Sequence, residues 1–233
     1  MSKIKSFCLF FALFLASCSS TQQVPAERSI SSVKPFILIL GDSNLVGSFG
    51  DVLHRSIAGW KDADVMSIAI GGGNASYYNR TMKNLCCGYK VRFSKKGSTE
   101  VKVSSASNKK NSAVIAPEYN GNLTALLNDK KPTMVVIALG SNADSLPNHK
   151  TLLAKISNYN PNIPVYWVGP PADPKISSTK ANAKIEAAIN TYPTAPYYFF
   201  SSQKVAKHLH PGPAEAEKWV KGFIDELSGV PRD

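Results

Sequence analysis

The sequence predicts an α/β fold, specifically a three-layer α/β/α sandwich around a central five-stranded parallel sheet with a small inserted β-hairpin. Short apolar runs without strict alternation suit strands that are buried on both faces. Amphipathic helical stripes lie between these runs, and strands that alternate with helices form parallel sheets covered on both sides. With 233 residues, of which 43% are apolar and 18% charged, the chain can form one domain with a sizeable core.

The candidate strands are five short apolar segments, at 36–40, 65–70, 134–139, 165–168 and 197–200. One segment between the second and third strands alternates apolar and polar residues twice, over 89–93 and 99–103, with a turn-like stretch between the two halves. This pattern predicts the inserted β-hairpin.

Helical stripes fill most of the other intervals. Leu45, Phe49, Leu53 and Ile57 recur at helical spacing and predict one helix directly after the first strand. The remaining helices are predicted near 123–128, 150–158, 181–189 and 216–227. Pro213 lies near the start of the last helix, where its missing N–H costs least.

The first 34 residues predict targeting. Lys3 and Lys5 precede an apolar run over 7–15, which is too short to span a bilayer comfortably. The run ends in Leu15-Ala16-Ser17-Cys18, which resembles the lipobox of bacterial lipoproteins, whose cysteine is acylated after cleavage. The expected divisions are a signal peptide (1–17), a flexible tether (18–34) and one folded domain (35–233).

An acyl anchor on Cys18 would hold the domain in the cell envelope. Ser19, rather than Asp, follows the cysteine, which in Gram-negative lipoproteins favours the outer membrane, so we expect an anchored chain that faces the periplasm. The alternative is an ordinary secretory signal with a chance cysteine. The net charge of +11 favours anionic surroundings, and nucleic acid is not expected as a partner outside the cytoplasm.

Two adjacent cysteines, Cys86 and Cys87, remain in the folded domain. An oxidising compartment permits a disulfide between them, although such a small ring would be strained and labile. Two semi-buried thiols or an intermolecular pair are equally compatible with the sequence.

Short polar motifs follow the predicted strands at their carboxyl ends, the edge where open α/β sheets hold their sites. Gly41-Asp42-Ser43-Asn44 follows the first strand, although a Gly-Asp-Ser triplet also fits a plain helix cap. The second strand ends in Gly71-Gly72-Gly73-Asn74, whose backbone N–H groups could stabilise an oxyanion. Ser76 stands where a dinucleotide-binding fingerprint needs glycine, which excludes that interpretation.

Two further motifs complete the set. Gly140-Ser141-Asn142 follows the third strand, and the Asn142 amide could either donate to an oxyanion or cap its loop. Lys207-His208-Leu209-His210-Pro211 follows the fifth strand, and an imidazole there can act as general base for a serine. A His-x-His metal site lacks a third ligand nearby, so neither a metal nor a cofactor is expected.

Together and in this order, the motifs resemble those of the SGNH hydrolases, also called GDSL-like lipases and esterases. The resemblance covers residues 35–228 and implies a flavodoxin-like fold. It also implies that Ser43 is the nucleophile and that His210 takes its proton and returns it to the leaving alcohol. The oxyanion hole would comprise the backbone N–H of Ser43, that of Gly72 or Gly73, and the side chain of Asn142.

One departure from the family pattern concerns the base. The family usually has Asp three residues before the histidine, whereas this chain has Lys207. A backbone carbonyl, of Lys207 or His208, could orient His210 and give a Ser-His dyad. Asp173, in the loop after the fourth strand, is a second substitute from elsewhere in the fold.

The expected function is that of a serine ester hydrolase of the cell envelope, acting on acetyl esters of a glycan such as peptidoglycan or exopolysaccharide. A lipid ester ranks next, and acyl transfer to a sugar uses the same residues. The alternative is a catalytically weak or inactive SGNH-fold lipoprotein that binds glycans. Its contact surface would be the hairpin cations, unless these only solvate an edge strand: Lys90, Arg92, Lys95, Lys96 and Lys102.

Overall fold

The computed structural model describes residues 35–60, 62–81, 87–106, 119 and 121–229. The predicted signal peptide and tether, with Cys18, lie outside these residues, as does Cys86, while Cys87 is exposed. None of the helices in the described part combines the length and the apolar character needed to cross a membrane.

Seven strands and seven α-helices form from the described residues. The strands are β1 (Phe36–Gly41), β2 (Asp64–Ile70), β3 (Tyr89–Ser94), β4 (Lys102–Ala106), β5 (Met134–Ala138), β6 (Val165–Val168) and β7 (Tyr197–Phe200). The helices are α1 (Ser43–Val46), α2 (Ser48–Trp60), α3 (Ala75–Asn79), α4 (Leu123–Lys130), α5 (Leu146–Tyr159), α6 (Ser178–Ile189) and α7 (Pro213–Gly229). The five predicted core strands are present as β1, β2, β5, β6 and β7.

All seven strands belong to one mixed sheet in the order β4-β3-β2-β1-β5-β6-β7. The core strands are parallel, but β3 pairs antiparallel with β2 and β4 antiparallel with β3. The five core strands are parallel, as predicted, but the predicted number of strands in the sheet was wrong, because the hairpin adds two antiparallel strands to it. The hairpin extends the sheet because β2 would otherwise present a row of unpaired N–H and C=O groups at its edge.

Apolar residues on both faces of the sheet are buried under helices. Ile37 and Ile39 of β1 pack with α2 and α7 on one face, whereas Leu38 and Leu40 belong to the core beneath α4, α5 and α6. Phe49 of α2 stacks on Trp219 of α7, with ring centroids 4.0 Å apart. The α/β class is confirmed, with helices on both faces of the sheet.

The predicted helix over Leu45–Ile57 is broken into α1 and α2 at Gly47. The apolar stripe itself is fully buried, as its spacing predicts. At the break, the Arg92 guanidinium donates to the carbonyl oxygens of Leu45 (2.8 Å) and Val46 (3.0 Å). These two carbonyl oxygens at the end of α1 are therefore bonded to a side chain. Gly50 is needed there as well, since a Cβ would lie 1.8 Å from the Leu45 carbonyl oxygen. The single turn that begins with Ser43 is thus held as a separate unit.

Candidate active site

Ser43 is the first residue of α1 and directly follows the strand β1 and its short turn. Asp42 caps this helical turn, because its carboxylate accepts the Asn44 N–H at 2.9 Å. The Ser43 side chain is half-buried, so its hydroxyl lies at the carboxyl edge of the sheet without being sealed in the core. This location is the one that the sequence predicts for a nucleophile in an open α/β sheet.

Asp42 is a buried carboxyl group, 1% exposed, that joins two loops of the site. Besides Asn44, its carboxylate accepts the Ser141 N–H at 3.3 Å, from the loop after β5. Burial raises the pKa of Asp42 to about 6, although the hydrogen bonds from Asn44 and Ser141 and the nearby His210 oppose this rise. Asp42 therefore changes its charge in the mildly acidic range.

Two buried side chains support the Ser43 turn from below. Arg92, 1% exposed, donates to the carbonyl oxygens at the end of α1 and pairs with Asp51 at 2.8 Å. The Tyr78 hydroxyl donates to the Gly41 carbonyl oxygen at 2.7 Å. Neither residue is marked by a motif. In the sequence, an arginine within an alternating strand looks like a solvent-exposed residue. Arg92 is buried because its strand, β3, pairs with β2.

The loop that carries His210 lies beside the Ser43 turn. The His210 backbone N–H donates to the Asn44 side-chain oxygen at 2.9 Å, although the two residues are 166 positions apart. The amide group of Asn44 in turn donates to the Ser141 hydroxyl at 2.6 Å. Asn44 therefore links the three loops that carry Ser43, Asn142 and His210.

The His210 imidazole is exposed, and its backbone has a positive φ of 53°. Within the described residues, no hydrogen bond joins either ring nitrogen to the Ser43 hydroxyl or to an orienting acceptor. A left-handed conformation costs a non-glycine residue on the order of 1–3 kcal/mol and persists only where surrounding contacts impose it. The structure thus fixes the backbone of His210, whose ring has no hydrogen-bond partner within the described part of the chain.

Two carboxylates impose this backbone conformation. Asp173 accepts the Leu209 N–H at 2.8 Å, and Glu215 accepts the N–H groups of Lys207 (2.8 Å) and His208 (3.1 Å). Glu215 also contacts the His208 ring at 2.9 Å. Asp173 thus holds the backbone of the loop, and among the described residues no hydrogen bond joins it, or the carbonyl oxygen of Lys207 or His208, to the His210 ring.

In the glycine turn after β2, the two candidate oxyanion donors, the N–H groups of Gly72 and Gly73, differ in their hydrogen bonding. The Gly73 N–H already donates to the Ile70 carbonyl oxygen at 2.9 Å, whereas that of Gly72 has no partner among the described residues. Gly72 has a φ of 66°, which favours glycine. One N–H of the Asn142 amide donates to the Gly73 carbonyl oxygen at 2.8 Å, which leaves the second N–H for another acceptor.

His54 and two of the hairpin lysines bond to neighbouring side chains away from Ser43. His54 is buried between the hydroxyls of Ser67 (2.6 Å) and Ser94 (2.9 Å), and burial lowers its pKa to about 4. Lys90 pairs with Asp51 at 3.0 Å, and Lys96 with Asp62 at 2.5 Å. No group of His, Cys, Asp or Glu side chains in the described part of the chain could hold a metal ion.

No protein-family model and no curated protein matches the sequence. Solved structures do match its fold. A family 3 carbohydrate esterase of Clostridium thermocellum gives a TM-score of 0.54 at 13% identity, over 84% of this chain and 98% of that chain. An acetyl esterase gives 0.51 at 11% identity, over 84% and 97%. A peptidoglycan O-acetylesterase gives 0.52 at 10% identity, over 84% and 91%. At these identities the likeness establishes the fold, which is that of the SGNH-type hydrolases.

Proposed function

We propose that this chain is an SGNH-type serine ester hydrolase with Ser43 as nucleophile and His210 as base. The observation that carries the proposal is the 2.9 Å hydrogen bond from the His210 N–H to Asn44, the residue after Ser43. It brings the histidine loop and the serine turn to the same edge of the sheet. The shared fold with carbohydrate and acetyl esterases supports the same chemistry.

In this mechanism the Ser43 oxygen attacks the ester carbonyl carbon while its proton passes to the His210 ring. The carbonyl oxygen becomes an oxyanion, stabilised by the backbone N–H groups of Ser43 and Gly72 and by the Asn142 amide. The tetrahedral intermediate collapses to an acyl-serine, and His210 gives its proton to the leaving alcohol. Water then attacks the acyl-serine with His210 again as base, which releases the acid and restores Ser43.

His210 acts as half of a Ser-His dyad in this proposal. Rotation about its side-chain bonds must bring a ring nitrogen to the Ser43 hydroxyl, and the exposed ring has room to rotate. Its backbone is already fixed, by Asn44 and by the carboxylate of Asp173 on the preceding residue. The conformational energy of the positive φ at His210 is then the free-energy cost of placing the ring at this edge of the sheet.

For the substrate, we propose an acetyl ester on a glycan or on peptidoglycan. The solved structures that share the fold include a carbohydrate esterase, an acetyl esterase and a peptidoglycan O-acetylesterase, which supports this choice. We also propose that the chain is cleaved before Cys18, acylated on that cysteine and anchored in the outer membrane, facing the periplasm.

The test is hydrolysis of p-nitrophenyl acetate by the wild type and by Ser43→Ala, His210→Ala and His208→Ala. We expect the first two variants to lose at least about 10³-fold in kcat, because nucleophile and base act as a unit. His208, which contacts Glu215 on the protein surface, is the matched control and should change kcat less than about threefold. Full activity in Ser43→Ala would eliminate the catalytic assignment.

The missing ring acceptor favours one second candidate, a catalytically inactive protein that binds glycans on the same fold. Fewer hairpin cations are available to bind a glycan than the sequence suggests, because Arg92 is buried and both Lys90 and Lys96 are ion-paired. Lys95 and Lys102 remain exposed. A wild type inactive on esters but retained by peptidoglycan, with retention lost on charge reversal of these two lysines, would support this candidate over the esterase.

A further inference from the structure

A pocket of about 340 Å³ opens beside Asn142. One wall is the loop after β5, residues 140–144, and the other comprises residues 175–177 and the first turns of α6. We call it the lysine pocket. Because it shares Asn142 with the proposed oxyanion hole, a group bound in the pocket would belong to the molecule whose ester reaches Ser43.

Three lysines line the pocket: Lys175, Lys180 and Lys184. Lys180 and Lys184 are four residues apart on α6 and therefore share one helix face. The Lys184 ammonium donates to the Asp144 carbonyl oxygen at 2.9 Å, which holds it across the pocket from its own helix. Because Lys184 reaches the loop after β5 while Lys175 and Lys180 belong to the opposite wall, both walls of the pocket carry positive charge.

Asp144 is the carboxylate among the residues that line the pocket, but its oxygens are already committed. Its side chain is 3% exposed, and it accepts three protein hydrogen bonds. The donors are Ala75 N (2.6 Å), Asn148 Nδ2 (2.6 Å) and Ser145 N (2.8 Å). The three lysines therefore exceed the negative charge that faces them.

Two further polar side chains line this pocket, those of His149 and Ser177. The His149 ring is 2% exposed and lines the pocket, yet its Nδ1 atom has no hydrogen-bond partner among the described residues. Ser177, the N-cap residue of α6, lines the pocket too, and its side chain makes no capping bond. An anion in the pocket would provide an acceptor for the N–H groups in the first turn of a twelve-residue helix.

We propose that the lysine pocket binds an anionic group of the ester substrate, so that the chain selects esters carried on anionic envelope polymers. This inference rests on the proposed function, since it assigns the substrate class of the same site. A sugar carboxylate and a backbone phosphodiester offer the same chemistry to lysine and to a helix N-terminus. The two sources are separated by experiment.

The first test measures binding of ester-free polymers to the full chain by calorimetry: a polyglucuronate, a poly(glycerol phosphate) and neutral dextran. We expect one or both anionic polymers to bind and Lys180→Glu to weaken that binding by roughly tenfold or more, as hydrogen bonds to charged groups predict. Lys218→Glu, the same change at an exposed position of α7 on the other face of the sheet, should stay within about twofold. Binding of the polyglucuronate identifies a carboxylate as the bound group, and binding of the poly(glycerol phosphate) identifies a phosphate.

Equal binding of dextran, or equal losses in the two charge reversals, would overturn the pocket assignment. The second test is the ratio of kcat/KM for an acetylated polyglucuronate or poly(glycerol phosphate) to that for an acetylated neutral glycan. Lys180→Glu should lower this ratio by roughly tenfold relative to Lys218→Glu. Hydrolysis that needs Ser43 but shows no charge preference overturns the pocket alone. Polymer binding that needs Lys180 without any Ser43-dependent hydrolysis overturns the proposed function alone.

Discussion

The two sides of the candidate site are held by different kinds of contact. On the serine side, the buried Asp42 and Arg92 fix the helical turn from within the core. On the histidine side, an exposed loop is held through its backbone by the carboxylates of Asp173 and Glu215. We therefore expect changes on the serine side to lower the stability of the whole domain, and changes on the histidine side to alter the loop with a smaller loss of stability.

The largest effect should come from Arg92, on the serine side. Arg92→Met keeps the length of the side chain but leaves buried carbonyl oxygens at the end of α1 without donors, and we expect it to lower the free energy of unfolding by about 4 kcal/mol. Urea denaturation measures this change. Lys90→Met, which removes a partly exposed partner of the same Asp51, should cost less than about 1 kcal/mol. Similar losses in the two variants would show that the serine turn does not depend on the buried contact.

Asp42 should give the next largest effect, and it depends on pH. Its folded pKa of about 6 lies above the ordinary 3.8, so the folded chain holds this proton more tightly than the unfolded chain does. Its stabilising contribution is then complete below about pH 4 and is lost as the pH rises through 6, a change of about 3 kcal/mol. The unfolding free energy of the wild type minus that of Asp42→Asn should fall by this order between pH 4 and 7. A difference independent of pH would contradict the raised pKa.

The smallest of these effects should come from Asp173, on the histidine side. The N–H groups of Leu209 and Lys175 hold the pKa of Asp173 below its ordinary value, so its support of the loop is lost only as the pH falls below 3.8, through the lowered pKa. Asp173→Asn at neutral pH should therefore lower kcat/KM on p-nitrophenyl acetate by roughly tenfold, through misplacement of the base. Asp225→Asn, at an exposed ion pair of α7, is the control without effect. A loss of stability as large as that of Arg92→Met would remove the distinction between the two sides.

Much of the fold could be predicted because each core strand is a local signal. The runs that became β1, β2, β5, β6 and β7 are apolar within themselves, and their burial follows from composition. The pairing of the hairpin with β2 could not be predicted, because its residues alternate as they would in a separate ribbon. The burial of Arg92 follows from that pairing.

The candidate site was predictable only to the level of its motifs. The motifs mark Ser43 and His210, but the contacts between them pass through side chains that no motif requires. Glu215 lies in the first turn of α7 and its partners are in the preceding loop, so its sequence position suggests only a helix start. The commitment of the Gly73 N–H likewise depends on which turn three adjacent glycines form.

Covalent labelling by a fluorophosphonate tests the central claim, that the Ser43 hydroxyl is activated by His210, most directly. The rate is followed by intact mass, and the modified residue is located by peptide mapping. We expect stoichiometric labelling at Ser43 in the wild type and a rate at least about 100-fold lower in His210→Ala, as loss of a general base predicts. Labelling at another serine, or an unchanged rate in His210→Ala, would contradict the account.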